Sequence, residues 1–131
     1  MQRICNFENI FIGVDIEKNS RFEKYANDRS AVEKLGIFTE KELDYCFKFR
    51  KPCQHICARF CAKEAVYKAL SQSGMQKLPQ LSEIEIYNNE MGVPFVRFLN
   101  ESFRHIECKL SLSHCSDISV AYVMVFNTKV D

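Results

Sequence analysis

Hydrophobic and polar positions change their period along this chain, and each change marks an element. Phe11-Ile12-Gly13-Val14-Asp15-Ile16 is apolar and partly β-branched, which predicts a short buried strand. Its glycine marks a point where another backbone or a ligand comes close. From Glu17 to Gly36 the spacing turns helical, with Phe22, Tyr25, Ala26, Val32 and Leu35 as apolar positions, a break between Asn27 and Ser30, and Gly36 as a stop. Thr39, followed three residues later by Glu42, predicts a capping box that opens a helix through Leu43, Cys46 and Phe47. Lys48-Phe49-Arg50-Lys51-Pro52 ends that helix, because the residue before a proline disfavours it.

A long central helix is predicted from about His55 to about Gln72. Its stretch Arg59–Leu70 is rich in Ala, Leu, Lys, Glu and Arg, and neither Gly nor Pro interrupts it. Phe60, Val66, Tyr67 and Leu70 supply a buried stripe. A loop with Gly74 and Pro79 follows. Glu83–Tyr87 alternates at period two, so it predicts a strand with one wet face. Asn88–Gly92 reads as a turn and Val93–Phe98 as the return strand of a hairpin; Asn100–Arg104 is a short helix or loop. Glu107–Ser113 sets Cys108, Leu110 and Leu112 against Lys109, Ser111 and Ser113, and Ile118–Phe126 is apolar enough for a central strand. One strand, then helices, then an antiparallel set is an α+β order without the alternation of a parallel sheet.

The length of 131 residues, with 47% apolar and no repeat or internal linker, predicts one domain over residues 1–131. A net charge of +1 gives no global basic field, which argues against nucleic acid or an anionic membrane as partner; any phosphate recognition must be local. No apolar run is long enough to span a bilayer, and the N-terminus does not read as a signal peptide, so a cytoplasmic protein is expected. Residues 1–10 suggest no function. Seven cysteines, an odd number without a C-x-x-C unit, predict reduced thiols rather than a disulfide framework. Cys53, Cys57 and Cys61 fall on one helical stripe. Zinc would need a second ligand unit that the chain lacks, so the stripe reads as packing.

Candidate chemistry gathers at a few positions. Asp15, at the end of its strand, is either a cap or turn residue or a metal ligand. Glu64 and Lys68 share a helix face, with Lys63 beside Glu64. They form either a solvated ion pair or a carboxylate for a hard cation flanked by lysines for phosphates. His114, closing Ser111-Leu112-Ser113-His114, is a surface polar residue, a phosphate donor or an acid–base group. The basic run 48–51 is a solvated loop or an anion contact.

Gly13-Val14-Asp15, Arg59-Phe60-x-x-Lys63-Glu64-x-x-x-Lys68-Ala69, Gly92-Val93-Pro94 and Ser111-Leu112-Ser113-His114 occur in the order and spacing of one family. From about Phe11 to Phe126 the chain resembles the small, stand-alone type of 4′-phosphopantetheinyl transferase, the holo-acyl-carrier-protein synthases. Thr39-x-x-Glu42-Leu43 and Ala121-Tyr122-Val123 fit as well. The resemblance implies a mainly antiparallel sheet packed against helices, one of them long and central. It implies transfer of the phosphopantetheine arm of coenzyme A to a serine of apo acyl carrier protein, releasing adenosine 3′,5′-bisphosphate, in support of fatty acid biosynthesis. It implies Mg²⁺ on Asp15 and Glu64, catalysis by Glu64 and Lys68, and coenzyme A contacts from Arg59, Lys63, Lys68, Ser113 and His114. Arg21 and Phe22 would dock the carrier protein, and the assembly would be a homotrimer with active sites at subunit interfaces.

The implied chemistry agrees with the residue types. Attack of a serine hydroxyl on a pyrophosphate needs phosphate charge neutralised and the groups aligned. Mg²⁺ takes one or two carboxylates besides phosphates and water, and lysines act as point charges. Glu64 or a water on the metal could take the serine proton. An acidic carrier would be steered by Arg21 and its basic neighbours. The chain departs from the family at Cys61, where small Ala residues are usual, and at Ser71-Gln72-Ser73-Gly74, where many members have Gly directly after Ala-Leu. The alternatives are a polyketide or other specialised carrier, a coenzyme A-binding module without transfer, and an interaction domain whose charges form only surface pairs.

Overall fold

The computed structural model describes residues 9–25 and 27–129, so Ala26 of the first helical segment lies outside the described residues. Strand β1 (Phe11–Lys18) leads into a 3-10 helix (Asn19–Tyr25), then α1 (Arg29–Glu33), α2 (Glu40–Cys46) and α3 (Pro52–Gln72). Next come the hairpin strands β2 (Ile84–Asn88) and β3 (Pro94–Phe98), then β4 (Glu107–His114) and β5 (Ile118–Phe126). Among the described residues two sheets form, β1-β5-β4 and β2-β3, and every pairing is antiparallel. The α+β expectation, with Ile118–Phe126 as the central strand, matches this order.

Helix α3 lies on the inner face of the three-stranded sheet. Small residues meet there: Ala62, Ala65 and Ala69 of α3, and Ala121 of β5, are all fully buried. Gly13 is the extreme case. A Cβ at this position would lie 1.9 Å from the backbone oxygen of Ala65. The close approach foreseen from the glycine is therefore to a backbone. It brings the strand that carries Asp15 against the helix that carries Glu64 and Lys68.

Local rules account for the helix ends. Thr39 and Glu42 form the predicted capping box, with Glu42 N donating to Thr39 Oγ1 (3.2 Å) and Thr39 N donating to Glu42 Oε1 (2.9 Å). Helix α3 starts three residues earlier than its periodicity suggests. Pro52 is its first residue, where a missing N–H leaves nothing unpaired. The predicted break between Asn27 and Ser30 is real, because Asp28 caps α1 by accepting from Ala31 N (3.0 Å). Gly36, with φ of +69°, supplies the stop after it.

Three burial expectations are corrected. Tyr67 and Leu35 are about 40% exposed rather than core (39% and 40%). Glu85 is buried, although alternation along β2 put it on a wet face. Its cross-strand partner Arg97 holds it with Nε (3.1 Å) and Nη2 (3.0 Å), so the strand has no wet side at that position. The cysteine stripe is packing: Cys61 Sγ points at Ser119 O (3.5 Å) and Cys57 Sγ at Lys18 O (3.6 Å), and no metal-binding group of three or more side chains occurs among the described residues.

The outer face of the three-stranded sheet is apolar and open along β1 and β5. Ile12, Val14 and Ile16 of β1 are 47%, 55% and 62% exposed, and Tyr122, opposite Val14, is 44% exposed. An alternating strand normally sets polar residues on such a face.

Candidate active site

Two groups of polar side chains stand out, one at each outer strand of the three-stranded sheet. The first is on the β1 side. Asp15 projects near α3, and the Lys68 ammonium donates to Asp15 Oδ1 (2.9 Å) and to the Val14 carbonyl (3.2 Å). The hydrogen bond to Asp15 raises the Lys68 pKa, and the Glu64 charge one helical turn earlier adds to it. Two carboxylates thus act on one cation. Asp15 is neither a helix cap nor a turn residue; it sits mid-ladder opposite Ala121. Glu64 is half-buried and does not share Lys68's ion pair, which goes to Asp15.

The second group lines a cleft of ≈ 410 Å³ between α2, α3, the β2–β3 turn and β4. Arg59, His55 and His114 supply its charge and donors, and Gly92, Val93 and Pro94 one wall. Arg59 is 3% exposed, and its guanidinium carbon lies 3.9 Å from the centroid of the Tyr45 ring. Its Nη2 donates to Asn88 Oδ1, while its buried Nε has no partner among the described residues. His55 stacks on Phe49 (3.6 Å between centroids, 17°) with Tyr45 edge-on. Burial pulls the His55 pKa down, and the nearby Arg59 and His114 charges add to that. Gln54 Nε2 meets His114 Nδ1, a contact that orients the imidazole. A cleft with a buried, partly unpaired guanidinium, two imidazoles and aromatic walls suits an anionic, ring-bearing ligand.

Of the residues the sequence singled out, Asp15, Glu64 and Lys68 come together, and Arg59 and His114 come together in the cleft. Ser113 does not line the cleft; it is exposed, opposite Val120, while Ser111 and Leu112 contribute instead. Lys63 is corrected. It is fully buried and points away from both groups, with Nζ 2.6 Å from Glu42 Oε1 and donating to Leu81 O (2.9 Å) and Ile84 O (2.5 Å). Burial pulls its pKa down and pushes that of Glu42 up, against the attraction of the pair. Three acceptors for three donors keep Lys63 as a tie between α3, α2 and the start of β2, out of reach of a phosphate. Phe22 is corrected as well: at 3% exposure it packs on Phe60 (5.4 Å) and Phe38 (6.4 Å), inside the core rather than on a docking surface. Arg21 is exposed, with Nη1 2.5 Å from Glu17 Oε2 and its guanidinium 4.6 Å from the Phe60 ring.

Tyr45, His55 and Asn88 were missed. His55 is one turn before Arg59, and that i, i+4 spacing was the available signal. Nothing local signals Tyr45 or Asn88, which reach the cleft only through tertiary packing.

Comparison with known proteins agrees with this geometry. The 4′-phosphopantetheinyl transferase superfamily matches residues 11–123. The holo-[acyl-carrier-protein] synthase of Geobacter sp. (strain M21) is 35% identical over 119 residues, covering 86% of this chain and 94% of that protein. Among solved structures, the ACPS–CoA complex of Chronobacterium ammoniagenes superposes with a TM-score of 0.73 at 25% identity, covering 92% of this chain and 98% of that one. The Bacillus anthracis holo-(acyl-carrier-protein) synthase in complex with CoA (3′,5′-ADP) superposes with a TM-score of 0.70 at 28% identity, covering 89% and 96%. With the match running through both polar groups, from the strand of Asp15 to the strands that flank the cleft, the chain belongs to the 4′-phosphopantetheinyl transferase superfamily.

Proposed function

We propose that this chain transfers the 4′-phosphopantetheine group of coenzyme A to a serine of apo acyl carrier protein, serving fatty acid biosynthesis in the cytoplasm. The observation that carries the reading is the pairing of a carboxylate–lysine group with an arginine–histidine cleft in one fold. The serine hydroxyl gives up its proton, to Glu64 or to water, as its oxygen attacks the phosphorus that bears the pantetheine arm. The bond from that phosphorus to the bridging oxygen breaks, and adenosine 3′,5′-bisphosphate leaves. Arg59 and His114 hold the nucleotide portion, and Lys68 moves from Asp15 to the phosphates as a point charge.

Asp15 and Glu64 would hold Mg²⁺. The residues fit, since Lys68 already occupies a position where Asp15 Oδ1 and the Val14 carbonyl stabilise a cation. Two carboxylates suffice when substrate phosphates complete the shell. When bound, the ion supplies neutralisation of phosphate charge.

The same placement supports a homotrimer with its sites between subunits. The two polar groups sit at opposite outer strands, β1 and β4, with β5 between them. That separates them by about 10 Å of sheet within one chain. A neighbouring copy packed on the open apolar face of Ile12, Val14, Ile16 and Tyr122 would cover it and bring its cleft to this chain's carboxylates.

The reaction is tested by intact mass. Apo acyl carrier protein incubated with this protein, coenzyme A and Mg²⁺ is expected to gain one phosphopantetheine, and EDTA is expected to prevent it. No gain with a panel of carriers, from folded protein that retains coenzyme A, would point to a binding module.

Carrier docking is assigned to the exposed Arg21 rather than to the buried Phe22. Arg21→Glu is expected to raise KM for the carrier by about tenfold and leave KM for coenzyme A within about twofold. Equal changes in both constants would remove Arg21 from the docking surface.

A further inference from the structure

Asn88 ends β2 and Asn89 follows it into the turn, and the two adjacent asparagines do different things. Asn89 is spent on its own turn: its Oδ1 accepts from Met91 N (2.9 Å) and Val93 N (2.9 Å). Asn88 joins that turn to the rest of the molecule. Its Nδ2 donates to Gly92 O (3.0 Å), and its Oδ1 accepts from Arg59 Nη2. One amide therefore links the cleft's guanidinium to the cleft's glycine wall.

The link is needed because Arg59 is held by little else. Tyr45 offers its face to the guanidinium, which restrains its plane but not its rotation within that plane. Nε has no partner among the described residues. Asn88 supplies the directional contact, and an amide oxygen does so without cancelling the guanidinium charge. A carboxylate here would hold Arg59 more firmly and neutralise it, leaving less attraction for an anion. Across from Asn88, Pro94 donates no hydrogen bond, so the strand pairing is weak where the turn begins and the side chain's bond to Gly92 O stands in for it.

We propose that Asn88 is a positioning residue that presets Arg59 for the phosphorylated nucleoside portion of the substrate, its own amide being fixed by the bond to Gly92 O. This rests on the transferase reading above. Asn88 itself need not touch the ligand; it acts through Arg59.

The test is calorimetric binding of adenosine 3′,5′-bisphosphate to the wild type, Asn88→Ala, Asn88→Asp, Arg59→Ala and the Arg59→Ala/Asn88→Ala double variant. Asn88→Ala is expected to weaken binding about tenfold, the size of a hydrogen bond to a charged group. The isosteric Asn88→Asp is expected to weaken it at least as much by neutralising Arg59. In the Arg59→Ala background the further change to Asn88→Ala is expected to have little effect, because its role runs through Arg59. A residue that merely stabilised the turn would instead add its full penalty in that background, and KM for the carrier would rise with that for coenzyme A. Either of those results, or wild-type affinity in both Asn88 variants, overturns the proposal. A wild-type protein that does not bind the bisphosphate overturns the transferase reading itself.

Discussion

Glu64→Gln is expected to lower the rate of phosphopantetheine transfer by about three orders of magnitude, the scale of losing one electrostatic contact to a charged transition state. Its thermal midpoint is expected to move by no more than about 2 °C. The two halves have separate causes. Glu64 is half-buried and isosteric with Gln, and the lysine one turn on pairs with Asp15 rather than with Glu64. Neutralising it therefore breaks no ion pair that the fold depends on. What it removes is one of the two negative charges beside Lys68. Stopped or continuous transfer assays and a melting curve on the same sample measure both; near-normal turnover would remove Glu64 from the metal site.

The same variant tests how the site is assembled. If Glu64 of one subunit works with Arg59 of the next, chains carrying Glu64→Gln and chains carrying Arg59→Ala are each inactive alone. In the homotrimer proposed above, these chains co-expressed with different tags and purified through both would form mixed trimers in which about one interface in three has both residues intact, as cyclic symmetry requires. About a third of wild-type activity should return. No recovery from such mixed trimers would place both residues in one chain's site.

Much of this was legible from local pattern, because local rules decide it. Thr39 and Glu42 satisfy each other's backbone, so the start of α2 can be read from four letters. Ile118–Phe126 is apolar because β5 has a strand on each side and α3 on one face. What could not be read were the residues whose roles depend on distant partners. Lys63 and Glu64 are adjacent and look alike as helix surface charges. Yet Lys63 meets Glu42, from a different helix, and two carbonyls around the start of β2, while Glu64 stays near the edge of the sheet. Strand alternation turns Glu85 toward solvent because it describes one strand, and Arg97 opposite it belongs to another. The cleft needs four elements to converge on Arg59. No window of sequence contains Tyr45, Arg59, Asn88 and His114 together.

Gly13→Ala is expected to destabilise the protein by more than about 3 kcal/mol, beyond the usual cost of an overpacked core. The reason is the identity of the neighbour. The new Cβ would stand 1.9 Å from Ala65 O, where ordinary contact begins near 3.4 Å, and the obstructing atom is backbone. A flexible side chain could turn aside; a carbonyl in the middle of α3 cannot move without the helix. Trimming the side chain with Ala65→Gly therefore should not rescue the variant. The strand must instead withdraw by more than an ångström (about 1.5 Å, from the shortfall in contact distance). That displacement also carries Asp15 away from Lys68 and Glu64, so the protein that remains folded should lose activity further. Chemical denaturation gives the stability, and transfer assays well below the melting midpoint give the second effect. Wild-type stability in Gly13→Ala, or rescue by Ala65→Gly, would mean that β1 and α3 are not packed backbone against backbone. In that case something other than this contact holds the carboxylates in place.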